Sequence, residues 1–412
     1  MAPGRRTRVL IVDDSAVMRS LVRSVVCSDA GLEVVGTAGD GASALSSIQS
    51  LRPDLVLLDV EMPVMDGLVT LRMMRTKGHK MPVIMCSSLT QRGAKVTIEA
   101  LANGAADYVA KPSGQAGREA AIQALAQDLI PKIHALTSQQ HAVPHSVFSN
   151  GPASTTSGSG IFGGPVAPGA SSVSPVSGSS VAAGVARGVA GVPLAAPTQR
   201  SQAVTANPTV VVIGVSTGGP AALDVILPLL PASFPLPILI VQHMPELFTK
   251  LFAERLNGRC QLAVREAAEG DIVRPGTIYI AKGNWHMEVL AGSRLGAPPT
   301  LHLQQGPLEN HCRPAVDVLF RSAAAVWGSG VLAAVLTGMG SDGMLGSKVV
   351  REHGGSVLAQ DQATSAVWGM PGSVTNAGLA HRVLPLNAII PEILRITSRT
   401  HSEARELRES MV

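Results

Sequence analysis

Aromatic residues are scarce in this sequence of 412 residues, where Phe, Trp and Tyr together make up 3 %. Aliphatic side chains must therefore fill the hydrophobic cores. Charged residues are also few, at 15 %, and the net charge of +4 comes with no stripe of Lys and Arg, so the composition gives no indication of a nucleic-acid partner. Apolar residues make up 46 %, and this length allows two or more domains that each bury a core.

Cysteines and long apolar runs are lacking as well. The four cysteines are far apart and show no metal-ligand spacing, which favours reduced thiols over a disulfide. A short apolar run at residues 9–12 follows three arginines, as in a signal peptide, but Asp13 and Asp14 end it too early. No run approaches the roughly 18 apolar residues of a membrane span. We therefore expect a cytoplasmic protein without direct membrane insertion.

Charge is absent from one long segment. Residues 146–186 contain no Asp, Glu, Lys, Arg or His and consist mostly of Gly, Ser, Ala, Pro and Val. Such a segment cannot bury enough apolar surface to offset the entropy lost on ordering. We therefore predict a flexible linker at residues 138–207, between a domain at residues 7–125 and a second domain at residues 208–398.

Short apolar runs alternate with helical patterns through the first domain. Its strand candidates are residues 8–12, 34–37, 55–58, 83–86 and 108–110. The alternation predicts a doubly wound α/β domain, a parallel sheet of five strands with helices on both faces. Asp13, Asp14, Asp59, Ser87 and Lys111 follow these strands. Because parallel strands end at the same edge of a sheet, and ligands bind there, we expect these side chains to form one site.

These side chains suit phosphoryl transfer. Neighbouring carboxylates repel one another unless a cation joins them, and Mg²⁺ prefers such oxygens. A phosphoryl group also needs a cation and hydrogen-bond donors around its oxygens. We therefore assign Asp59 as phosphoacceptor, Asp13 and Asp14 as metal ligands, and Ser87 and Lys111 as phosphoryl-binding residues. Any one of them could simply end a strand, but five in order are hard to explain in that way.

Three motifs make this domain resemble the receiver domain of two-component response regulators. They are Val-Asp-Asp-Ser-Ala-Val-Met-Arg at residues 12–19, Asp-Val-Glu-Met-Pro-Val-Met-Asp-Gly at 59–67 and Ala-Lys-Pro at 110–112. The resemblance implies that a histidine kinase phosphorylates Asp59. It also implies that the backbone carbonyl of Glu61 is a further ligand of the metal.

The second domain repeats the alternation, with strand candidates at residues 210–215, 238–241, 277–281, 331–336 and 356–358. A second α/β domain with a parallel sheet is therefore predicted. Its first strand runs into the turn Gly-Val-Ser-Thr-Gly-Gly at 214–219. This turn could present Ser216 as a nucleophile, bind a phosphate at a helix N-terminus, or be an ordinary tight turn. Both the dinucleotide fingerprint and the Walker lysine are absent.

A serine nucleophile needs a base and an acid that orients the base. His243 and Asp342 both follow predicted strands, so both should lie at the same edge as the serine. The chain order usual in α/β hydrolases would instead choose His381 or His353 as the base, with Asp361 as a further candidate acid. Sequence spacing does not decide between these sets.

Six motifs make residues 208–398 resemble the catalytic domain of the chemotaxis protein-glutamate methylesterases. They are Gly-Val-Ser-Thr-Gly-Gly-Pro at 214–220, Gln-His-Met at 242–244, His-Met at 286–287, Arg-Pro-Ala-Val-Asp-Val-Leu-Phe at 313–320, Leu-Thr-Gly-Met-Gly-Ser-Asp-Gly at 336–343 and Trp-Gly-Met-Pro at 368–371. The resemblance implies a catalytic triad of Ser216, His243 and Asp342. It also implies hydrolysis of glutamate methyl esters on chemoreceptors with release of methanol, deamidation of receptor glutamines, and a role in chemotaxis adaptation.

The resemblance further implies that the unphosphorylated receiver packs over the active site. As flanking residues of the glycine-rich loops, Thr217 and Met339 are candidates to bind the oxyanion through their backbone N–H groups. No cofactor is expected in the esterase domain. The sequence departs from the family at Lys282, where proline is frequent, and in its long linker.

The sequence disfavours two functions of other classes. A phosphorylation-controlled transcription factor would need a basic helix-turn-helix output, and residues 208–398 have strands and catalytic-looking turns instead. A scaffold with a degenerate esterase domain would have lost part of the triad, and here all three candidates are present.

Overall fold

A computed structural model of the chain describes residues 5–112, 117–138, 207–294 and 296–410. The linker predicted at residues 138–207 lies almost wholly outside the described residues. Within the described part of the chain, no helix is both long and apolar enough to cross a membrane.

The N-terminal domain alternates five strands with five helices. Its elements are β1 (Thr7–Val12), α1 (Ala16–Cys27), β2 (Leu32–Ala38), α2 (Gly41–Leu51), β3 (Leu55–Asp59), α3 (Gly67–Thr76), β4 (Val83–Ser87), α4 (Gln91–Ala102), β5 (Asp107–Ala110) and α5 (Arg118–Thr137). The strands form one parallel sheet in the order β2-β1-β3-β4-β5. Strand β3 is fully buried and almost wholly apolar, as expected for a parallel strand covered on both faces.

Polar N-cap residues begin the helices that follow the first four strands of this domain. Ser15, Asp40, Asp66 and Thr90 are N-cap residues, and the side chain of each accepts a hydrogen bond from the backbone N–H three residues later. Since Val12 pairs with Leu58, the residues that follow β1 and β3 are neighbours at the carboxyl edge.

The C-terminal domain has a larger sheet and one separate hairpin. Its elements are β6 (Val210–Val215), α6 (Gly219–Ile226), β7 (Ile238–Gln242), α7 (Glu246–Asn257), β8 (Ala263–Glu266), β9 (Thr277–Ile280), β10 (His286–Leu290), β11 (Thr300–Gln304), α8 (Val316–Trp327), β12 (Val331–Val335), α9 (Met344–Glu352), β13 (Ser356–Gln360), α10 (Met370–Asn376), β14 (Arg382–Leu384) and α11 (Leu386–Ser410). Seven parallel strands form the sheet in the order β14-β13-β12-β6-β7-β9-β8, while β10 and β11 pair antiparallel. The first strand of the domain thus lies at the centre of its sheet.

The predicted architecture is confirmed, and the predicted strands agree with the observed ones to within two residues at each end. Strands β8 and β14 and the hairpin β10–β11 were not predicted. Residues exposed to solvent alternate with buried ones along β8, and β14 has only three residues, so neither forms a continuous apolar run. Both lie at edges of the sheet, where one side of the strand is unpaired.

The two domains contact each other through helices and an aromatic pair. Helix α4 of the N-terminal domain packs against α6 and α7 of the C-terminal domain. Tyr108 on β5, the edge strand of the N-terminal sheet, stacks on Phe248 of α7, with ring centroids 4.6 Å apart. Buried apolar residues of both domains form one continuous cluster across this contact.

Candidate active site

Ser216 follows β6 directly, in a sharp turn that leads into α6. Its backbone N–H donates a hydrogen bond to the carbonyl of Thr337, which follows β12. Gly218 has a φ of +77°, and a Cβ atom there would lie 2.5 Å from the Cβ of Ala366. Glycine is therefore required by both backbone conformation and space, and the turn holds the serine at the carboxyl edge of the sheet.

His243 follows the neighbouring strand β7 at the same height as Ser216. The register pairs Val215 with Gln242, and the His243 backbone N–H donates to the carbonyl of Val215. Nδ1 of the imidazole lies 3.1 Å from the Ser216 Oγ, and Nε2 lies 2.8 Å from Oδ2 of Asp342. The ring can therefore accept the serine proton on one nitrogen while the other faces a carboxylate.

Asp342 comes from the loop after β12, the strand on the other side of β6. Its carboxylate also accepts hydrogen bonds from the backbone N–H groups of Val316, Asp317 and Gly343. The first two of these groups begin α8, where the helix dipole favours a negative charge. Burial alone would raise the pKa of Asp342, but the hydrogen bonds and charge of His243 and the backbone donors lower it.

The environment of His243 favours its protonated form. Burial lowers the pKa of the imidazole, but the hydrogen bonds and charges of Asp342 and Cys312 outweigh burial and raise this pKa to about 10. The stabilised imidazolium is the species that a general base becomes after it takes a proton from serine. Ser216, His243 and Asp342 thus form a connected donor–acceptor chain.

The competing residues lie elsewhere. His381 accepts a hydrogen bond from the backbone N–H of Val357, near the amino end of β13, and burial lowers its pKa to about 4. His353 follows α9 and its ring contacts the carbonyl of Val349. Asp361 accepts hydrogen bonds from Thr364. The order of residues seen in α/β hydrolases is therefore not the arrangement in this domain.

Two residues that sequence reasoning did not select join the site. The Asn310 side chain donates to Asp342 at 2.9 Å, and Cys312 Sγ lies 3.5 Å from Nδ1 of His243. Both belong to the loop before α8. Their positions depend on a fold of the chain that no short motif encodes, and only the adjacent Arg-Pro motif at 313–314 marked this loop.

A cavity of about 480 Å³ lies over Ser216 and His243, and both domains line it. On the N-terminal side Tyr108 and Lys132 contribute to the wall. The Lys132 ammonium donates to the carbonyl of Tyr108 at 2.7 Å and pairs with Asp128 at 2.9 Å. The edge of the first domain therefore covers the candidate nucleophile.

The second cluster of predicted residues lies at the carboxyl edge of the first sheet. The Lys111 ammonium bridges Asp59 at 2.7 Å and Asp13 at 2.8 Å. Carboxylate oxygens of Asp13, Asp14 and Asp59 lie within 4.8 Å of one another. Burial raises the pKa of Asp59 to about 6, while Lys111 lowers this pKa and the nearby Asp13 raises it.

The remaining predicted residues lie beside this cluster. Ser87 is the last residue of β4, the strand next to β3, and its side chain is buried with Oγ donating to the carbonyl of Ser88. The backbone N–H of Glu61 points to Oδ1 of Asp59 at 3.4 Å. The structure therefore brings all the predicted residues of the first domain to one edge.

The fold and these two sites define a hydrolase joined to a receiver domain. Residues 9–132 match the family model of the response regulator receiver domain, and residues 211–393 match the model of the CheB methylesterase. The chain is 47 % identical over 394 residues to a protein-glutamate methylesterase/protein-glutamine glutaminase of Nocardioides sp., covering 95 % of this chain and 96 % of that protein. A protein of the same name from Trichodesmium erythraeum is 43 % identical, covering 94 % of this chain and 98 % of that protein. The chain belongs to the CheB methylesterase family, in the form that carries an N-terminal receiver domain.

Proposed function

We propose that this enzyme hydrolyses glutamate methyl esters on methyl-accepting chemoreceptors, and that the same site deamidates receptor glutamines. The observation that supports this proposal most strongly is the hydrogen-bonded chain from the Ser216 hydroxyl through His243 to Asp342. A hydroxyl activated by an imidazole performs acyl transfer, and both an ester and a primary amide are acyl substrates. The relatives of the same family carry both activities in their names.

The reaction begins when the Ser216 Oγ attacks the ester carbonyl and Nδ1 of His243 takes the hydroxyl proton. The tetrahedral intermediate then collapses, the bond to the methoxy group breaks, and His243 returns the proton so that methanol leaves. Water repeats the sequence on the acyl-enzyme: it adds to the carbonyl, the proton passes through His243 to Ser216, and glutamate is released. For a glutamine substrate the leaving group is ammonia.

The backbone N–H groups of Thr217 and Met339 are proposed to bind the oxyanion. Neither group donates a hydrogen bond to another described residue, so both are available. Both residues line the cavity over Ser216. A Cβ atom on Gly338 would lie 2.9 Å from the Cβ of Ser216, so the loop that carries Met339 touches the nucleophile. Donors held in this way stabilise charge that develops in the transition state.

Asp59 is proposed as the phosphoacceptor, with a histidine kinase as phosphodonor. Three clustered carboxylates with a lysine beside them form a donor set suited to Mg²⁺ and a phosphoryl group. Asp13, Asp14 and Asp59 with the backbone carbonyl of Glu61 would hold the ion, which neutralises charge on phosphoryl oxygens when bound. Lys111 and Ser87 would contact those oxygens. No cofactor is proposed for the esterase domain.

Phosphorylation is proposed to uncover the active site. Tyr108 and Lys132 of the receiver domain line the cavity over Ser216, so a chemoreceptor segment that binds in this cavity would meet both side chains. Tyr108 lies on β5, and Lys111, which pairs with Asp59, directly follows that strand. A movement of Lys111 on phosphorylation of Asp59 would therefore be passed along this short segment to the contact that Tyr108 makes with the esterase domain. The proposed location is the cytoplasm, in keeping with four free cysteines.

The test of the esterase assignment is methanol release from methylated chemoreceptors by the full chain and its Ser216→Ala variant. Loss of the nucleophile should lower turnover by roughly 10³-fold or more with an unchanged melting temperature. Ser398→Ala, at an exposed hydroxyl of α11, is the matched control and should keep full activity. Turnover of the Ser216→Ala variant within tenfold of the wild-type value would contradict the assignment.

A further inference from the structure

A single amide links the candidate catalytic acid to a second buried carboxylate. Nδ2 of Asn310 donates to Oδ1 of Asp342 and to Oδ2 of Asp317, at 2.9 Å in each case. Asp342 and Asp317 have 2 % and 0 % of their surface exposed. An amide nitrogen has two hydrogens, so Asn310 can satisfy both carboxylates at once.

This amide is one of five donors around the Asp342 carboxylate. Oδ1 accepts from Asn310 and from the backbone N–H groups of Asp317 and Gly343, which leaves Oδ2 to His243 and the Val316 N–H. The carboxylate cannot rotate without breaking several of these bonds. The hydrogen bond from Asn310 to Oδ1 therefore helps to keep Oδ2 directed toward His243.

The turn that carries Asn310 presents the amide in a defined direction. Asn310 and His311 have φ values of +51° and +62°, and the residues on either side, Glu309 and Cys312, exchange two backbone hydrogen bonds. Asn is among the residues that tolerate positive φ best. Glu309 also forms a bidentate ion pair with Arg321 of α8, which fixes the turn to the helix whose first backbone N–H groups donate to Asp342.

We propose that Asn310 is a positioning residue for catalysis: its amide allows Asp342 and Asp317 to be ionised side by side and so keeps Asp342 directed at His243. The assignment rests on the proposed triad. Asn310 acts through Asp342 and has no contact with the serine. Without the amide, two ionised carboxylates would face each other in a buried place, and Asp342 would move away or share a proton with Asp317.

The charged groups around Asp317 come from three elements. Asp342 faces it from the loop after β12, Glu309 from the turn, and Arg321 from its own helix α8. His243 is linked to this group through its bond with Asp342. Loss of the Asn310 amide should therefore affect the Asp342–Asp317 pair while Glu309 and Arg321 stay in place.

The protonation of Asp317 makes this role measurable. Burial, together with the charges of Asp342 and Glu309, raises its pKa to about 6, while hydrogen bonds from the Gly346 N–H and from Asn310 lower it. Once protonated, Asp317 no longer repels the Asp342 carboxylate. A defect caused by loss of the amide should therefore be small at low pH and grow as the pH rises through the Asp317 pKa.

The experiment compares methanol release by the full chain with Asn310→Gly, Asp317→Asn and the double variant. Glycine retains the positive φ of the turn and removes only the side chain. For Asn310→Gly we expect kcat to fall about tenfold at pH 8 with little change in KM, and less at pH 5.5. In the double variant a neutral side chain replaces Asp317, so most of the lost kcat should return and the extra pH dependence should disappear.

Two results would overturn the assignment. One is an Asn310→Gly variant whose kcat stays within twofold of wild type across this pH range. The other is a loss of kcat that neither varies with pH nor is restored by Asp317→Asn, which would indicate a merely structural turn. If the wild-type chain itself releases no methanol, the proposed esterase function fails, and that outcome is separate from both.

Discussion

The ring of Tyr108 stacks on the ring of Phe248 with an interplanar angle of 11°, and each ring belongs to a different domain. This pair lies beside the cavity that contains Ser216. The receiver domain therefore contacts the esterase domain beside the cavity that Ser216 lines. Loosening this contact should raise the activity of the unphosphorylated enzyme.

The first prediction concerns Tyr108→Ala in the full chain. An aromatic pair contributes about 0.5–1.5 kcal/mol beyond its buried area, so unphosphorylated methanol release should rise by about 2- to 10-fold. The further increase on adding a small phosphodonor with Mg²⁺ should shrink by a similar factor. Tyr108→Phe keeps the stacked ring and should behave like the wild type. Unchanged or lower activity of the alanine variant, with its fold retained, would argue against a covering role.

The second prediction concerns the acid of the triad. In Asp342→Asn one of the two groups that raise the His243 pKa is removed, while Cys312 remains and burial still lowers this pKa, so it should fall below its wild-type value of about 10. The imidazole nitrogen resonances, followed by NMR against pH, measure this change directly. kcat should fall by about 10³-fold or more, because the ring loses the partner that stabilises its protonated form.

The pH profile follows from the same group. A general base must be unprotonated, so with a raised His243 pKa the wild-type activity should increase with pH above 6.5. The residual activity of Asp342→Asn should reach its plateau at a lower pH than that of the wild type. A profile that is identical in the two proteins would show that His243 does not titrate as this pairing requires.

The third prediction concerns the stability of the receiver domain. The Asp59 carboxyl has an ordinary pKa of 3.8 and a folded-state pKa of about 6, so its charged form is disfavoured in the folded state. This destabilisation is absent below pH 3.8, develops as the pH rises, and is complete above about pH 6, where it amounts to at most about 3 kcal/mol. Asp59→Asn should therefore raise the melting temperature at pH 8 and leave it nearly unchanged at pH 4.

The control for this prediction is Asp14→Asn, measured in the presence of a metal chelator. Asp14 lies in the same carboxylate cluster but its side chain is exposed, so its replacement should change the melting temperature little at either pH. Equal stabilisation by both variants would point to general charge repulsion in the cluster rather than to burial of Asp59.

The positions of the candidate site residues along the chain were predictable for a simple reason. In a parallel sheet every strand ends at the same edge, so apolar runs followed by polar residues indicate which side chains meet. Asp13, Asp59 and Lys111 meet in this way in one sheet, and Ser216 and His243 in the other. No long-range information was needed to place them at a common edge.

Other features depended on contacts distant in sequence. Asp317 lies within the motif at residues 313–320, but only the structure places it one amide away from Asp342. Asn310 gave no signal, because its role comes from a turn whose two ends pair and from a helix that docks against it. Residues of this kind are recruited by packing, and a local pattern cannot show them.

The sequence by itself determined the two α/β domains and the residues at their carboxyl edges, because periodicity and strand ends are local properties. Only the tertiary structure decided that β7 and β12 lie on either side of β6, which makes His243 and Asp342 the partners of Ser216 and excludes His381. Strand order depends on which buried faces pack together across the whole domain. The same long-range packing brings Tyr108 over the nucleophile and sets which imidazole nitrogen faces serine.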